Sequence, residues 1–138
     1  MAQQVVDDLR VLTPDRQVTF KVRPDLRAYG DPALVRLLLV NLLQNAWKYM
    51  GRETRAVIEM TCERGAIRGV FHIEDSGIGF DNEHRERIFE AFERLHTDEE
   101  FGGTGLGLAT ARRIVRRYGG DIWAQGSPDH GAIFSFSI

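Results

Sequence analysis

The segment that decides the fold reads Asp31-Pro-Ala-Leu-Val-Arg-Leu-Leu-Leu-Val-Asn-Leu-Leu-Gln-Asn-Ala-Trp-Lys-Tyr49. Asp31 is a good N-cap and Pro32 suits the first helical position, so a helix begins here. The pattern continues to about Tyr49, and Gly51 supplies a stop signal. Because the segment is apolar nearly all round from residue 34 to 47, it predicts a buried helix.

A polar stripe nevertheless runs along this helix. Asn41, Asn45, Lys48 and Tyr49 are three or four residues apart, which places them on one side. Burying such groups without partners costs about 1–3 kcal/mol for each neutral group and more for a charge. The stripe therefore faces a polar ligand, water or other polar groups of the protein. Amide oxygens suit Mg²⁺ and a lysine suits phosphate, whereas an internal hydrogen-bond network is the alternative.

Shorter elements surround this helix. An amphipathic helix is predicted over 1–12, with Val5, Val6, Leu9 and Leu12 as its apolar positions. Further strands are predicted at 18–22, 56–63, 66–74, 121–125 and 132–138, and further helices at 83–95 and 106–118. Strands mixed with helices, several of them joined as hairpins, predict an α/β sandwich of one sheet with helices on one face.

Composition limits the class of protein. The chain has 138 residues and a formal net charge of −2, which fits one domain and argues against broad nucleic-acid binding. Its one cysteine, Cys62, excludes an internal disulfide. The longest apolar stretch, 37–40, is far shorter than the ~20 residues that span a bilayer, and no secretory signal precedes it. We expect a soluble, cytoplasmic domain that makes no membrane contact of its own.

Two glycine-rich segments are candidate ligand loops. Asp75-Ser-Gly77-Ile-Gly79 follows a predicted strand, so its carboxylate could accept an exocyclic amine while its glycines let a flat ligand approach. A plain turn is the alternative. The segment 102–108, Gly-Gly-Thr-Gly-Leu-Gly-Leu, opens a helix whose free N–H groups form an anion site. It is neither a Walker A loop nor a Rossmann fingerprint, and a hinge is its alternative.

Aromatic and charged residues complete the pattern. Phe89 and Phe92 are spaced to pack a short helix on the core, and the polar stretch 97–105 is expected to form a mobile lid. The helix over 106–118 ends with four arginines, at positions 112, 113, 116 and 117. They predict either a solvated face or a docking face for an acidic partner.

In this order, the segments resemble the ATP-binding catalytic domain of sensor histidine kinases, within the superfamily of gyrase, Hsp90-type chaperones and MutL. The segment 41–49 matches the N box, and 75–79 matches the first glycine box. The segments 89–92 and 103–108 match the phenylalanine box and the second glycine box. The stretches 92–96 and 119–123 are most similar to the phytochrome-type branch. The resemblance covers about residues 27–138 and implies a Bergerat-type ATP-binding fold with a mixed, mainly antiparallel sheet.

The resemblance also implies a role for each matched residue. Asp75 would hold the adenine amine, and Gly77 and Gly79 would allow the base to approach. Asn45 would ligate Mg²⁺, assisted by Asn41. The remaining contacts to nucleotide and phosphate would come from Lys48, Tyr49, Thr104, Gly105, Leu106, Gly107 and Leu108. Phe101 stands near the lid position where relatives place a basic residue, so the γ-phosphate contact would pass to Arg94 or His96, or be missing.

Two departures bear on the reaction. Hydrolysing branches of the superfamily carry a general-base Glu four residues before the Mg²⁺-binding Asn, and here that position is Asn41, so rapid hydrolysis is not expected. No histidine of the chain matches the family's acceptor pattern. The resemblance therefore implies catalytic transfer, with Asn45 and Lys48 as catalytic residues, to a histidine on a separate helical dimerisation domain, for relay to a response regulator. Residues 1–14 would be the tail of a connecting helix and 15–138 the catalytic domain.

Two other functions share these features. A serine kinase of the anti-sigma type has the same fold, although its second glycine box is usually less complete than the one found here. A degenerate module that docks partners without turnover is the other alternative, and Phe101 is its only support. Because family members dimerise through the separate helical domain, we expect the isolated domain to be a monomer.

Overall fold

The computed structural model describes residues 1–23, 26–50, 56–64, 69–90 and 107–138. Three α-helices and five strands occur in these ranges: α1 (Ala2–Leu12), β1 (Val18–Val22), α2 (Pro32–Lys48), β2 (Ala56–Arg64), β3 (Gly69–Asp75), α3 (Gly107–Arg117), β4 (Ile122–Ser127) and β5 (Gly131–Ser137). Two 3₁₀ turns, Asn82–His84 and Arg87–Phe89, follow β3.

The strands form one mixed sheet in the order β1-β2-β3-β5-β4. β1 pairs with β2 in parallel, because α2 carries the chain back between them, and the other neighbours are antiparallel. Along each strand, alternate residues enter a core shared with the helices, whereas Glu59, Glu74 and Gln125 point away from it and are exposed. The predicted α/β sandwich is confirmed.

α2 is the centre of the core. Leu38, Leu42 and Leu43 on this helix are at most 1% exposed. The side chain of Asp31 accepts hydrogen bonds from the N–H groups of the first turn, so the predicted N-cap is confirmed. The predicted buried helix is confirmed on its core side, whereas Leu37, one of its apolar residues, is 42% exposed.

α1 packs into the same core. Val5, Val6 and Leu9 are buried beside α2, and the side chain of Arg36 on α2 donates to Asp8 at 2.9 Å. Leu12, predicted to belong to the apolar face, is 75% exposed because the helix ends there, past the edge of the core.

The helix predicted over 83–95 was wrong within its described part, which ends at residue 90. Two separate 3₁₀ turns, the first capped by Asp81, stand there instead of an α-helix, and Glu90 after the second turn is extended. Phe89 is nevertheless buried, with its ring edge-on to Phe134 at 6.2 Å, as its predicted packing role requires. Phe92 and the stretch 97–105 expected as a lid lie outside the described residues.

Three of the four arginines of α3, at positions 113, 116 and 117, are exposed, while Arg112 is half-buried and lies over the ring of Phe89. This arrangement fits both interpretations of the arginine cluster. No helix in the described parts of the chain is long and apolar enough to cross a membrane.

Candidate functional site

The polar stripe lies on the second half of α2 and reaches its C-terminal end. Asn41, Asn45, Lys48 and Tyr49 are all half-buried. The ammonium group of Lys48 stands 6.0 Å from the centre of the Tyr49 ring. Within the described ranges, the side-chain Nδ2 of Asn41 is buried without a hydrogen-bond partner. A buried amide donor left in this state is unfavourable by about 1–3 kcal/mol, which marks the stripe as a place for an acceptor.

Asn41 also touches the start of α3. A Cβ placed on Gly107 would lie 3.3 Å from Asn41 Oδ1, so the two helices meet closely at this point. Gly107 is the first residue of α3 and Leu108 the second, and both are half-buried. The structure therefore brings the polar stripe to a helix N-terminus, where N–H groups and the helix dipole favour an anion.

Asp75 is the last residue of β3 and is 6% exposed. Its Oδ1 accepts a hydrogen bond from the N–H of Gly77 at 2.9 Å. Burial raises the pKa of Asp75 to about 6, and the neighbouring charge of Glu74 adds to the rise. Backbone hydrogen bonds from Gly77 and Ala132 oppose it. A buried carboxylate of this kind is suited to a polar anchor inside an apolar site.

The two glycines after Asp75 have a reason within the protein itself. A Cβ on Gly77 would overlap the carbonyl oxygen of Tyr49, and a Cβ on Gly79 would overlap that of Ser127. Gly79 also has φ +65°, which side chains seldom adopt. These glycines therefore let the loop pack against the end of α2 and against the β4–β5 turn. That Gly77 and Gly79 also allow an adenine base to approach stays a prediction.

Backbone hydrogen bonds hold the loop between those two neighbours. The N–H of Ile78 donates to the carbonyl of Tyr49 at 3.0 Å, and the carbonyl of Ile78 accepts from the N–H of Asp129 at 2.6 Å. On the sheet side, the hydroxyl of Ser76 accepts from the N–H of Val57 at 2.9 Å. The end of α2, the loop and the β4–β5 turn thus form one connected unit.

Sequence reasoning missed part of this unit. The sequence predictions assign no role in the site to the β4–β5 turn, which contains Ser127, Asp129 and Gly131. The turn sequence Ser-Pro-Asp-His-Gly could have indicated it. Asp129 has φ +65° and Gly131 has φ +92°, and Asp and Gly are residue types that tolerate a positive φ. The carbonyl of Tyr49 carried no signal at all, because every residue has one.

Five of the predicted site residues, Arg94, His96, Thr104, Gly105 and Leu106, lie outside the described residues. The structure brings together the others, because Asn41 meets Gly107 and Tyr49 meets Ile78 beside Asp75. Among the described residues, no cluster of three or more His, Cys, Asp or Glu side chains could hold a metal ion.

Comparison with known proteins decides the family. The sequence profile described as "Histidine kinase-, DNA gyrase B-, and HSP90-like ATPase" matches residues 30–138, which is most of the chain. The chain belongs to this ATPase family. Within the family it is a histidine kinase-like ATPase domain, and the family's ligand is ATP.

Relatives of this ATPase domain include two kinds of sensor kinase. The adaptive-response sensory kinase SasA of Rippkaea orientalis is 35% identical over all of this chain and 36% of its own length. The phytochrome-like protein Cph1 of a Synechocystis strain is 41% identical over 79% of this chain and 14% of its own. The chain thus spans about a third or less of these relatives. The expected similarity to the phytochrome-type branch is confirmed.

Solved structures agree on the fold of the ATPase domain. Full-length ShkA in complex with AMPPNP has a TM-score of 0.76 at 29% identity, over 99% of this chain and 28% of that one. The catalytic domain of the histidine kinase ThkA has a TM-score of 0.73 at 29% identity, over 99% and 90%. The mycobacterial sensor histidine kinase MprB, at 22% identity and a TM-score of 0.78 over 99% and 90%, supports the fold alone.

Proposed function

We propose that this chain is the ATP-binding catalytic domain of a two-component sensor histidine kinase. It binds Mg-ATP and donates the γ-phosphate to a histidine on a separate dimerisation domain, from which the phosphate passes to an aspartate of a response regulator. The observation that carries the proposal is the meeting of three parts, namely the buried Asp75, the asparagine stripe of α2 and the N-terminus of α3. Family membership supports the same assignment.

Asp75 is the proposed anchor for adenine. Its charged carboxylate accepts a hydrogen bond from the exocyclic amine, and its buried position makes that bond selective. A ligand without the amine leaves a buried acceptor unpaired, at a cost of about 1–3 kcal/mol. The loop formed by Gly77, Ile78 and Gly79 provides a surface beside the anchor.

The residues of the stripe fit a magnesium ion and phosphate groups. The side-chain oxygen of Asn45 is a hard ligand of the type that Mg²⁺ prefers. Asn41 assists by donating its unpartnered Nδ2 to a phosphate oxygen. Bound Mg²⁺ would offset the charge of the phosphates. Lys48 and Tyr49 contact phosphate and nucleotide, and the N–H groups of residues 105–108 hold phosphate oxygens. The contact to the γ-phosphate comes from Arg94 or His96, or is missing.

Transfer to a protein histidine fits the chain better than hydrolysis does. Asn41 stands where a general base would activate water, and an amide cannot accept that proton. Among the described histidines, His72 lies on the sheet with Nδ1 2.7 Å from Ser135 Oγ and Nε2 3.5 Å from Glu63 Oε2. We therefore place the acceptor on another domain.

The proposal extends to the surroundings of the domain. Its partners are the helical phosphoacceptor domain of the same kinase and the receiver domain of a response regulator. Residues 1–14 continue from the dimerisation domain into the catalytic domain of 15–138. The isolated domain is a monomer, and it works in the cytoplasm, where ATP is available.

Calorimetric titration with ATP, with and without Mg²⁺, tests the nucleotide site. Asn45→Ala should lose the magnesium-dependent part of the affinity, whereas Gln44→Ala, the exposed amide beside it, should bind like the wild type. Asp75→Ala should abolish binding, with Glu74→Gln as its control. Unchanged binding in Asn45→Ala would favour the docking module, and unchanged binding in Asp75→Ala would refute the adenine anchor.

Phosphotransfer to a separate acceptor domain tests the reaction. The domain should label the histidine of a cognate dimerisation domain with γ-phosphate, and the product should be acid-labile. Acid-stable phosphoserine would identify the anti-sigma type of kinase instead. Steady hydrolysis of ATP without any acceptor would contradict the role given to Asn41.

A further inference from the structure

A cavity lies towards the other end of β3 from Asp75. Its volume is about 650 Å³, within the range of roughly 300–1,000 Å³ that small-molecule sites occupy. Phe71 lines it and is four residues from Asp75 along the strand, or about 13 Å at ~3.3 Å per residue. The cavity is therefore separate from the proposed nucleotide site.

The floor of this cavity is apolar. It is formed by Leu39 of α2, Met60 of β2, Phe71 of β3 and Phe136 of β5, each no more than 5% exposed. These side chains belong to the hydrophobic core, so the cavity opens directly onto it. An aliphatic chain placed here would be removed from water, which is favourable in proportion to the apolar area covered.

The mouth of the cavity is cationic. Arg23 and Arg27 both line it and are both exposed, and Tyr29 stands beside them. The described lining contains no Asp or Glu, and neither arginine forms an ion pair with a carboxylate in the part of the chain that the structure describes. Two guanidinium groups next to an apolar floor are suited to a carboxylate that ends an aliphatic chain.

We propose that this cavity binds a free, single-chain fatty carboxylate of medium length. The aliphatic chain covers the apolar floor, and the carboxylate lies at the guanidinium groups of Arg23 and Arg27. Binding is non-covalent and involves no residue of the proposed nucleotide site.

Calorimetry with sodium dodecanoate, below its micelle concentration, tests the proposal on the full chain. We expect saturable binding of one molecule, weakened about fourfold for each methylene removed in shorter acids. Changing both arginines, Arg23→Gln and Arg27→Gln, should weaken it about fivefold, as expected for exposed ion pairs. The matched control changes two exposed arginines of α3, Arg113→Gln and Arg116→Gln, and should have no effect.

A second variant fills the cavity itself. Ala2 lines the cavity and is half-buried, so Ala2→Phe should displace dodecanoate and reduce its affinity at least tenfold. Val11→Phe places the same aromatic side chain on the exposed side of α1, and this variant should bind dodecanoate like the wild type. Unchanged ATP affinity in Ala2→Phe establishes that the variant is folded, and if it does not fold, the arginine pair and the shorter acids decide.

Several results would overturn the proposal. Absence of saturable binding would do so, as would equal affinity for dodecanol, which has the chain without the charge. Equal effects of Ala2→Phe and Val11→Phe would place the ligand elsewhere. Sedimentation with phosphatidylglycerol vesicles, lost in the arginine pair variant, would assign the arginines to a lipid surface instead of a free acid.

Discussion

At the scale of single residues, Asp75 combines its proposed role towards adenine with a cost to the stability of the fold. Its carboxylate is 6% exposed and its pKa lies at about 6, because burial disfavours the charged form. The proposed hydrogen bond to the adenine amine uses that charged form. The residue therefore responds to pH in two ways, one seen in binding and one in stability.

Nucleotide binding should weaken in mild acid. Below a pH of about 6 Asp75 takes up a proton and loses acceptor capacity towards the adenine amine, so affinity should fall by up to about tenfold for each further pH unit. Titrations with ADP between pH 7.5 and 5 measure this loss. The Asp75→Asn variant should bind ADP weakly, and its affinity should change with pH only as far as ADP itself titrates. An equal pH slope in wild type and variant would contradict the prediction.

The stability of the free protein should change in the opposite sense. The pKa of Asp75 is higher in the folded protein, at about 6, than its ordinary value of 3.8, which we take for the unfolded chain. Its favourable contribution to the free energy of unfolding is therefore fully present below pH 3.8 and is lost as pH rises through about 6. The two values differ by about 2 units, so at pH 7.5 the charged group opposes folding by up to ~3 kcal/mol. Urea unfolding should show Asp75→Asn gaining stability relative to wild type between pH 5 and 7.5, and a constant difference would refute this.

At the scale of elements, the first glycine loop depends on a close backbone approach. Gly79 has φ +65°, and a Cβ there would overlap the carbonyl oxygen of Ser127. We expect Gly79→Ala to lower the free energy of unfolding by about 1–3 kcal/mol and to weaken ATP binding. Gly69→Ala is the control, because its Cβ would meet side chains rather than backbone, namely Cys62 Sγ at 3.3 Å and the Phe71 ring at 3.5 Å. Denaturant unfolding of both variants measures the difference.

The elements with strong periodicity could be predicted from the sequence. α2 begins with an N-cap at Asp31 and continues with a long apolar run. The strands alternate apolar and polar residues, so the local pattern by itself indicates their type. The region after Asp81 could not be predicted in this way. Its residues suit a helix, but contacts of Phe89 with the sheet decide its path, and such contacts are invisible in a local pattern.

The same limit applies to the site. Asn41, Asn45 and Asp75 could be identified because their residue types are unusual where they occur. The meeting of Asn41 with Gly107 and of Tyr49 with Ile78 depends on tertiary packing. Part of that packing is made by backbone carbonyl groups such as that of Tyr49, and because every residue has one, the sequence does not show which of them is used.

At the scale of the whole molecule, α1 contributes to the common core. Val6 is fully buried, whereas Val11 on the same helix is 79% exposed. Val6→Ala should therefore cost about 2 kcal/mol of stability, and Val11→Ala should change it by less than about 0.5 kcal/mol. Urea unfolding compares them. Equal, small effects would show that α1 is dispensable to the domain.

The hydrogen bonds at Ile78 tie three distant parts of the chain together before any ligand arrives. The amides of Ile78 and Asp129 are both donors in that chain of bonds. In a deuterium-exchange experiment on the free protein, these two amides should exchange only through large opening events. The end of the site that we propose for the base is thus held in place in the free protein, and a nucleotide bound there would cost little conformational entropy.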